Sequence, residues 1–222
     1  MRPVSEQFAE RGFHPPQQAR SRASLQRVLA AAEHVLAHRG IEEFTVGAVA
    51  EQAELSVGAI YRRFSGKDQL LHAVKDQLLR QLETNVDEAL RVSAPGLRGT
   101  ISAFTQALAH TFAGHDRIFS ELLDGQRAEG RERGLEALAA IQDALVDSAG
   151  ACLPEISRHD RDQAVRMVAR TIIGACVHRA ATCRYWPDDL SWTTWARETT
   201  ELILAYLTSP TMTHAATARP AR

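Results

Sequence analysis

Cysteine is scarce in this chain, with three in 222 residues. Cys152, Cys176 and Cys183 show no CxxC spacing, so no zinc site and no other metal site is expected. An excess of one charge is also missing. The formal net charge is −1, which excludes a nonspecific polycation. No apolar run approaches the roughly 20 residues of a membrane-spanning helix. Phe8 and Phe13 lie scattered among charges and prolines rather than in a signal-peptide core, so a cytoplasmic protein is expected. Strand alternation and hairpin signals are lacking throughout. Catalytic order is lacking too: there is no Ser/His/Asp arrangement and no phosphate-cradling loop. Asp188 and Asp189 are adjacent and would point apart, which suits a helix cap near Ser191 better than paired acid–base work. No enzyme, no catalytic residue and no cofactor is therefore expected. Hydrophobic content of 45% is ordinary for a folded domain.

What the chain does contain is helical periodicity, and its most informative stretch runs from Thr45 to Lys67. Thr45 is a good N-cap, and Val46, Val49, Ala50 and Ala53 follow at helical spacing. Small Ala50 allows a second helix to approach closely. Glu54-Leu55-Ser56 reads as a turn, with Ser56 as the next N-cap. Val57 to Phe64 is the second helix, burying Ile60 and Phe64 at i, i+4. Tyr61, Arg62, Arg63 and Lys67 are left for the outside. This is the layout of a helix-turn-helix, whose second helix can enter a DNA major groove.

These residues resemble the DNA-binding domain of the TetR family of transcriptional regulators. The family pattern begins with an amphipathic helix, here Leu25 to Arg39, followed by Gly40, Phe44 and Thr45. It closes with Tyr61, Phe64, Lys67, Asp68 and Leu70. The resemblance covers residues 22 to 71. Three positions depart from it: Glu54 stands where Gly is frequent, Gly47 lies inside a helix, and Arg63 replaces the usual His or Tyr. If the backbone at 54 needs a positive φ, Glu costs on the order of 1 kcal/mol relative to Gly.

The expected fold is all-α. A three-helix helix-turn-helix domain spans residues 21–70, and a helical ligand-binding and dimerisation domain spans 71–208. A mobile arm is expected over 1–20 and a frayed tail over 209–222. Leu25, Val28, Leu29, Ala32 and Leu36 make the stripe of the first helix. His34 and His38, on the opposite face, read as a solvated pair. Ser65 and Asp68 form a capping box ahead of a long helix that runs from Lys67 through Leu90 to Pro95-Gly96. Further helices are expected near 97–113, 116–129, 131–149, 160–185 and 191–208.

For DNA, the candidate residues are Thr45, Ser56, Val57, Gly58, Ala59, Tyr61, Arg62, Arg63 and Lys67. Thr45, Ser56, Tyr61, Arg63 and Lys67 would hold the phosphate backbone. Val57, Gly58, Ala59 and Arg62 would face base edges, where an Arg can pair bidentately with guanine. Residues 1–70 carry nine Lys/Arg against eight Asp/Glu, so binding must rest on the placement of charge and on doubling in a dimer. Arg22 and Arg27 are further phosphate candidates.

The resemblance also implies a small-molecule pocket among the later helices. Phe104, Leu108, Phe112, Phe119, Leu122 and Leu123 are plausible walls, with His110, Glu121, Asp124, Arg127 and His178 as polar candidates. Val165, Val168 and Ile172 form one apolar face near the end of the chain, and Trp192, Trp195, Leu202 and Tyr206 another. The resemblance implies that such a pair of helices packs against its twin in a homodimer; alternatively, both faces complete the core of the single chain. The function the resemblance implies is a sequence-specific, ligand-responsive regulator, by the default of that family a repressor released from a palindromic operator by a small molecule. Two other readings use the same residues. One is a DNA-binding dimer that senses redox state through its cysteines. The other is a helix-turn-helix protein that acts mainly on a protein partner.

Overall fold

The computed structural model describes residues 17–115, 118–119, 131–182 and 185–210. All regular structure among them is helical. Eight α-helices follow in order: α1 Gln17–Glu43, α2 Val46–Gln52, α3 Val57–Tyr61, α4 Lys67–Arg91, α5 Leu97–Gly114, α6 Arg131–Ala149, α7 Arg161–Thr182 and α8 Trp192–Thr208. A short 3-10 helix, Gly150–Glu155, links α6 to α7. The chain divides into two compact units, with the division between Val74 and Lys75.

In the first unit the apolar stripe of α1 (Val28, Leu29, Ala32, Val35, Leu36) is buried together with Phe44, Val49, Ala50, Ile60, Leu70 and Val74. Helix α1 begins at Gln17, so the expected arm is shorter by four residues. Gln, Ala and Arg are strong helix formers, and they follow directly on Pro15-Pro16. Residues 1–16 of that arm lie outside the described residues. The helix is broken at Gly40, whose φ of 77° favours a residue without a side chain. Thr45 and Ser56 cap α2 and α3, their hydroxyl oxygens accepting from the amides of Ala48 (3.0 Å) and Ala59 (3.1 Å). At the start of α4 the amide of Ser65 donates to Oε1 of Gln69 rather than to Asp68, so the expected box is closed one residue later.

In the second unit α5 packs chiefly on α8 and also meets α6 and α7, while α6 packs on α7. Phe104, Thr105, Leu108 and Phe112 are the buried face of α5. Its N-terminus is capped from a distance: the amide of Leu97 donates to Oε1 of Glu155 at 3.0 Å. Arg133 of α6 grips α4, donating to Asp76 at 2.9 Å and to both Glu83 oxygens at 2.7 and 2.8 Å. Of the helix expected near 116–129, only Ile118 and Phe119 are described, and both are helical. Helix α8 ends at Thr208; residues 211–222 of the expected tail lie outside the described residues.

Candidate functional site

The turn between α2 and α3 is a Schellman motif. The amide of Leu55 donates to the Ala50 carbonyl at 3.0 Å, and that of Glu54 to the Glu51 carbonyl at 3.1 Å. Glu54 occupies the left-handed position, with φ 55°. The departure noted at this position therefore carries the backbone cost attached to it. The motif and the Ser56 cap together set the direction of α3.

Helix α3 is only five residues long, and the division of its faces is sharp. Ile60 is fully buried, while Val57, Gly58, Tyr61, Arg62 and Arg63 are exposed and Ala59 is half-buried. Ser56 and Thr45 are exposed at the two caps. A Cβ built on Gly58 would meet no atom within 4 Å, so the packing of this chain does not require glycine there. Arg63 reaches back to α1, where its Nη2 donates to Oγ of Ser21 at 3.0 Å.

Lys67 is half-buried, and its ammonium donates to the Ile41 carbonyl at 2.7 Å and lies 6.0 Å from the Phe44 ring centroid. This carbonyl follows directly on the break at Gly40. The cation in the first turn of α4 thus has a structural reason that its sequence position did not show: it ties α4 to the end of α1. An ammonium has three donors, so the other two protons remain for an outside acceptor. His34 and His38 stack with ring centroids 4.0 Å apart, and Nδ1 of His38 lies 2.8 Å from the His34 carbonyl oxygen.

In the second unit a groove of about 630 Å³ lies between the end of α4, one side of α5 and the start of α8. Helix α4 contributes Asn85, Glu88 and Ala89, and the turn after it Val92; α5 contributes Ala103, Gln106, Ala107 and His110; α8 contributes Trp192, Thr193 and Ala196. The expected walls sit elsewhere. Phe104, Leu108, Phe112 and Phe119 are buried core, with Phe112 and Phe119 stacked 4.3 Å apart. They are the large side chains of their helices, and large apolar side chains fill the interior rather than leave space. The groove exists because the neighbouring face of α5 carries alanines. His178 is exposed and packs edge-on against Trp186 rather than on the groove. Glu121, Leu122, Leu123, Asp124 and Arg127 lie outside the described residues. Of the polar candidates, His110 lines the groove. Asn85, Glu88 and Gln106 were missed; the signal available was the small-residue stripe Ala103, Ala107 and Ala113 flanked by Gln106 and His110.

The two apolar faces near the end of the chain are also resolved differently. Val165, Val168 and Ile172 are buried within the single chain. That corrects their reading as a surface for a twin, because the core of this chain already covers them. The exposed side of α7 carries Met167, Thr171 and Gly174. On α8, Trp192 and Trp195 are half-buried, and the Arg179 guanidinium sits 4.9 Å from the Trp192 ring. Leu202 and Tyr206 are exposed, at 68% and 36%. Cys152 and Cys176 are buried. Burial pushes the Cys176 thiol well above the ordinary range, against a smaller opposing pull from Arg179. A thiol so held is a poor thiolate and a poor redox sensor. Cys183 lies outside the described residues.

No helix among the described residues is long and apolar enough to cross a membrane. No curated protein matches the chain by sequence. Among solved structures, the fold is similar to FadR from Bacillus subtilis in complex with stearoyl-CoA (18% identity, TM-score 0.65, covering 82% of this chain and 98% of that one). It is also similar to the fatty acid degradation regulator FadR from Bacillus halodurans (16% identity, TM-score 0.66, 83% and 96%). A third is the TetR family regulator PfmR from Thermus thermophilus (21% identity, TM-score 0.61, 80% and 94%). Identities this low establish the shared fold. Residues 28–74, which hold the buried stripe of α1, the capped helix pair and the start of α4, match the model of bacterial regulatory proteins of the tetR family.

Proposed function

We propose that this chain is a TetR-family regulator, a homodimeric repressor that leaves a palindromic operator when a small molecule binds the groove of its second unit. The observation that carries the DNA side of this reading is the outer face of α3. Val57, Gly58, Tyr61, Arg62 and Arg63 are exposed there, while Ile60 alone anchors the helix. Val57 suits the methyl group of thymine and Arg62 the edge of guanine. Tyr61, Arg63, the hydroxyls of Thr45 and Ser56, and the remaining protons of Lys67 suit phosphate oxygens.

A dimer supplies the second α3 helix that a nearly neutral chain needs. Two half-sites one helical turn apart require recognition helices about 34 Å apart across a two-fold axis. The exposed Met167, Thr171 and Gly174 of α7, with Leu202, Ala205 and Tyr206 of α8, are the surface we assign to the twin. Ligand release then follows from differential affinity. A ligand that prefers a dimer with mismatched α3 spacing draws the population away from the operator.

The experiment is a selection of bound fragments from random DNA with the purified protein at two salt concentrations. An enriched inverted repeat that persists at the higher salt is expected. Enrichment of no sequence, with binding that vanishes as salt rises, would leave only phosphate contact and sink the operator reading.

A further inference from the structure

The described lining of the groove between α4, α5 and α8 carries charge of one sign. Among the described residues the groove's one formally charged side chain is the Glu88 carboxylate, and none of those lining it is a Lys or Arg. The two amide side chains on the lining each spend a donor inside the protein. Asn85 Nδ2 donates to Thr111 Oγ1 at 3.0 Å, and Gln106 Nε2 donates to Ser102 Oγ at 2.7 Å. Asn85 Oδ1 accepts from Gln81 at 2.7 Å, so Asn85 is held from both ends and supplies little to a ligand. Gln106 keeps its carbonyl oxygen as an acceptor, beside the imidazole of His110. Glu88 meets Arg91 at 3.7 Å, both about two-thirds exposed or more. A pair that long and that wet holds its partner weakly and exchanges it readily. Most of the remaining wall is apolar, with six alanines, Val92 and Trp192. Arg179 already stacks on that indole and is itself paired with Asp188. Trp192 therefore serves as an apolar wall, and the counter-charge falls to Glu88.

We propose that this groove takes an organic cation with an apolar body, which packs on the alanines and Trp192 while its charge faces Glu88. The proposal rests on the ligand-responsive reading above and specifies its ligand class. It also separates this protein from the Bacillus subtilis FadR bound to stearoyl-CoA. The phosphates of a coenzyme A thioester would meet a carboxylate and no cation among the described lining residues.

The test uses two ions of nearly the same shape and opposite charge, tetraphenylphosphonium and tetraphenylborate, titrated calorimetrically into the full chain, with stearoyl-CoA as a third probe. Tetraphenylphosphonium is expected to bind and the other two not. Glu88→Gln, at an exposed position that leaves the fold intact, is expected to weaken the cation by about tenfold, the scale of one partly exposed ion pair. Ala103→Trp, which fills the groove, is expected to abolish binding. Equal or tighter binding of tetraphenylborate, binding of stearoyl-CoA in the groove, or indifference to Glu88→Gln overturns the proposal. Operator binding measured alongside keeps the two readings apart. Cation binding through Glu88 without any loss of operator affinity would uphold the groove and refute release by this class of ligand. Release by some other effector, unaffected by Glu88→Gln and Ala103→Trp, would uphold the regulator and refute the groove.

Discussion

Glu54 holds a left-handed backbone with φ 55°, in a turn whose two amide bonds leave that residue no other conformation. Glu54→Gly is therefore expected to stabilise the first unit by about 1 kcal/mol, read as a shift in the denaturant midpoint without a change in slope. A lower midpoint would mean that the Glu54 side chain makes a compensating contact. Gly58 is the converse case. It costs α3 helical stability and relieves no clash. Gly58→Ala is expected to raise stability by up to about 1 kcal/mol while weakening operator binding. Unchanged DNA affinity would show that the missing side chain does not serve close approach to the groove of DNA. The capping hydroxyls, the turn and the i, i+4 anchors were all readable from residue types, because each acts within one turn of its own helix. The positive φ at 54 needed only the length of the turn. The donor bond of Lys67 was not readable, since Ile41 is distant in sequence.

Helix α4 meets different partners along its length. Its first residue bonds to the end of α1, its middle is gripped by Arg133, and its last turns line the groove. Lys67→Met removes a bond to a half-buried carbonyl and, with it, the donor proposed for phosphate. It is expected to lower the melting temperature as well as DNA affinity at every sequence, whereas Arg62→Ala is expected to relax sequence preference at unchanged stability. Equal effects of the two variants on stability would refute the structural role of Lys67. On α5 the constraint is steric. A Cβ on Gly99 would fall 1.9 Å from the Ala94 carbonyl oxygen, so the turn before α5 closes only over glycine. Gly99→Ala is expected to cost about 2 kcal/mol or more. A loss under half of that, seen by thermal melting, would show that the turn shifts freely. Helix positions followed from periodicity, and α6 and α5 match their expected spans closely. Which side of α5 would be core and which would be groove did not follow, because alanine suits a tight helix contact and an open wall equally well.

For the whole molecule, the open question in the sequence was what covers the apolar faces of the last two helices. The chain itself covers Val165, Val168 and Ile172, and the large apolar groups these helices leave exposed are Met167 on α7 with Leu202 and Tyr206 on α8. Leu202→Glu is expected to shift the protein toward monomer in analytical ultracentrifugation and to weaken binding to a palindrome far more than binding to an isolated half-site. Wild-type sedimentation as a monomer on operator-length DNA would rule out the twin surface. The sequence alone determined the helical class, the capped helix pair and its exposed basic end, since periodicity, caps and turn residues act over a few positions. Tertiary structure alone decided that Lys67 ties α4 to α1, that the large aromatics of α5 are core, that a groove opens over its alanines, and which face of α7 stays exposed. An amphipathic stripe encodes that a face must leave water. It does not encode whether the chain itself, a twin or a ligand takes the place of water there.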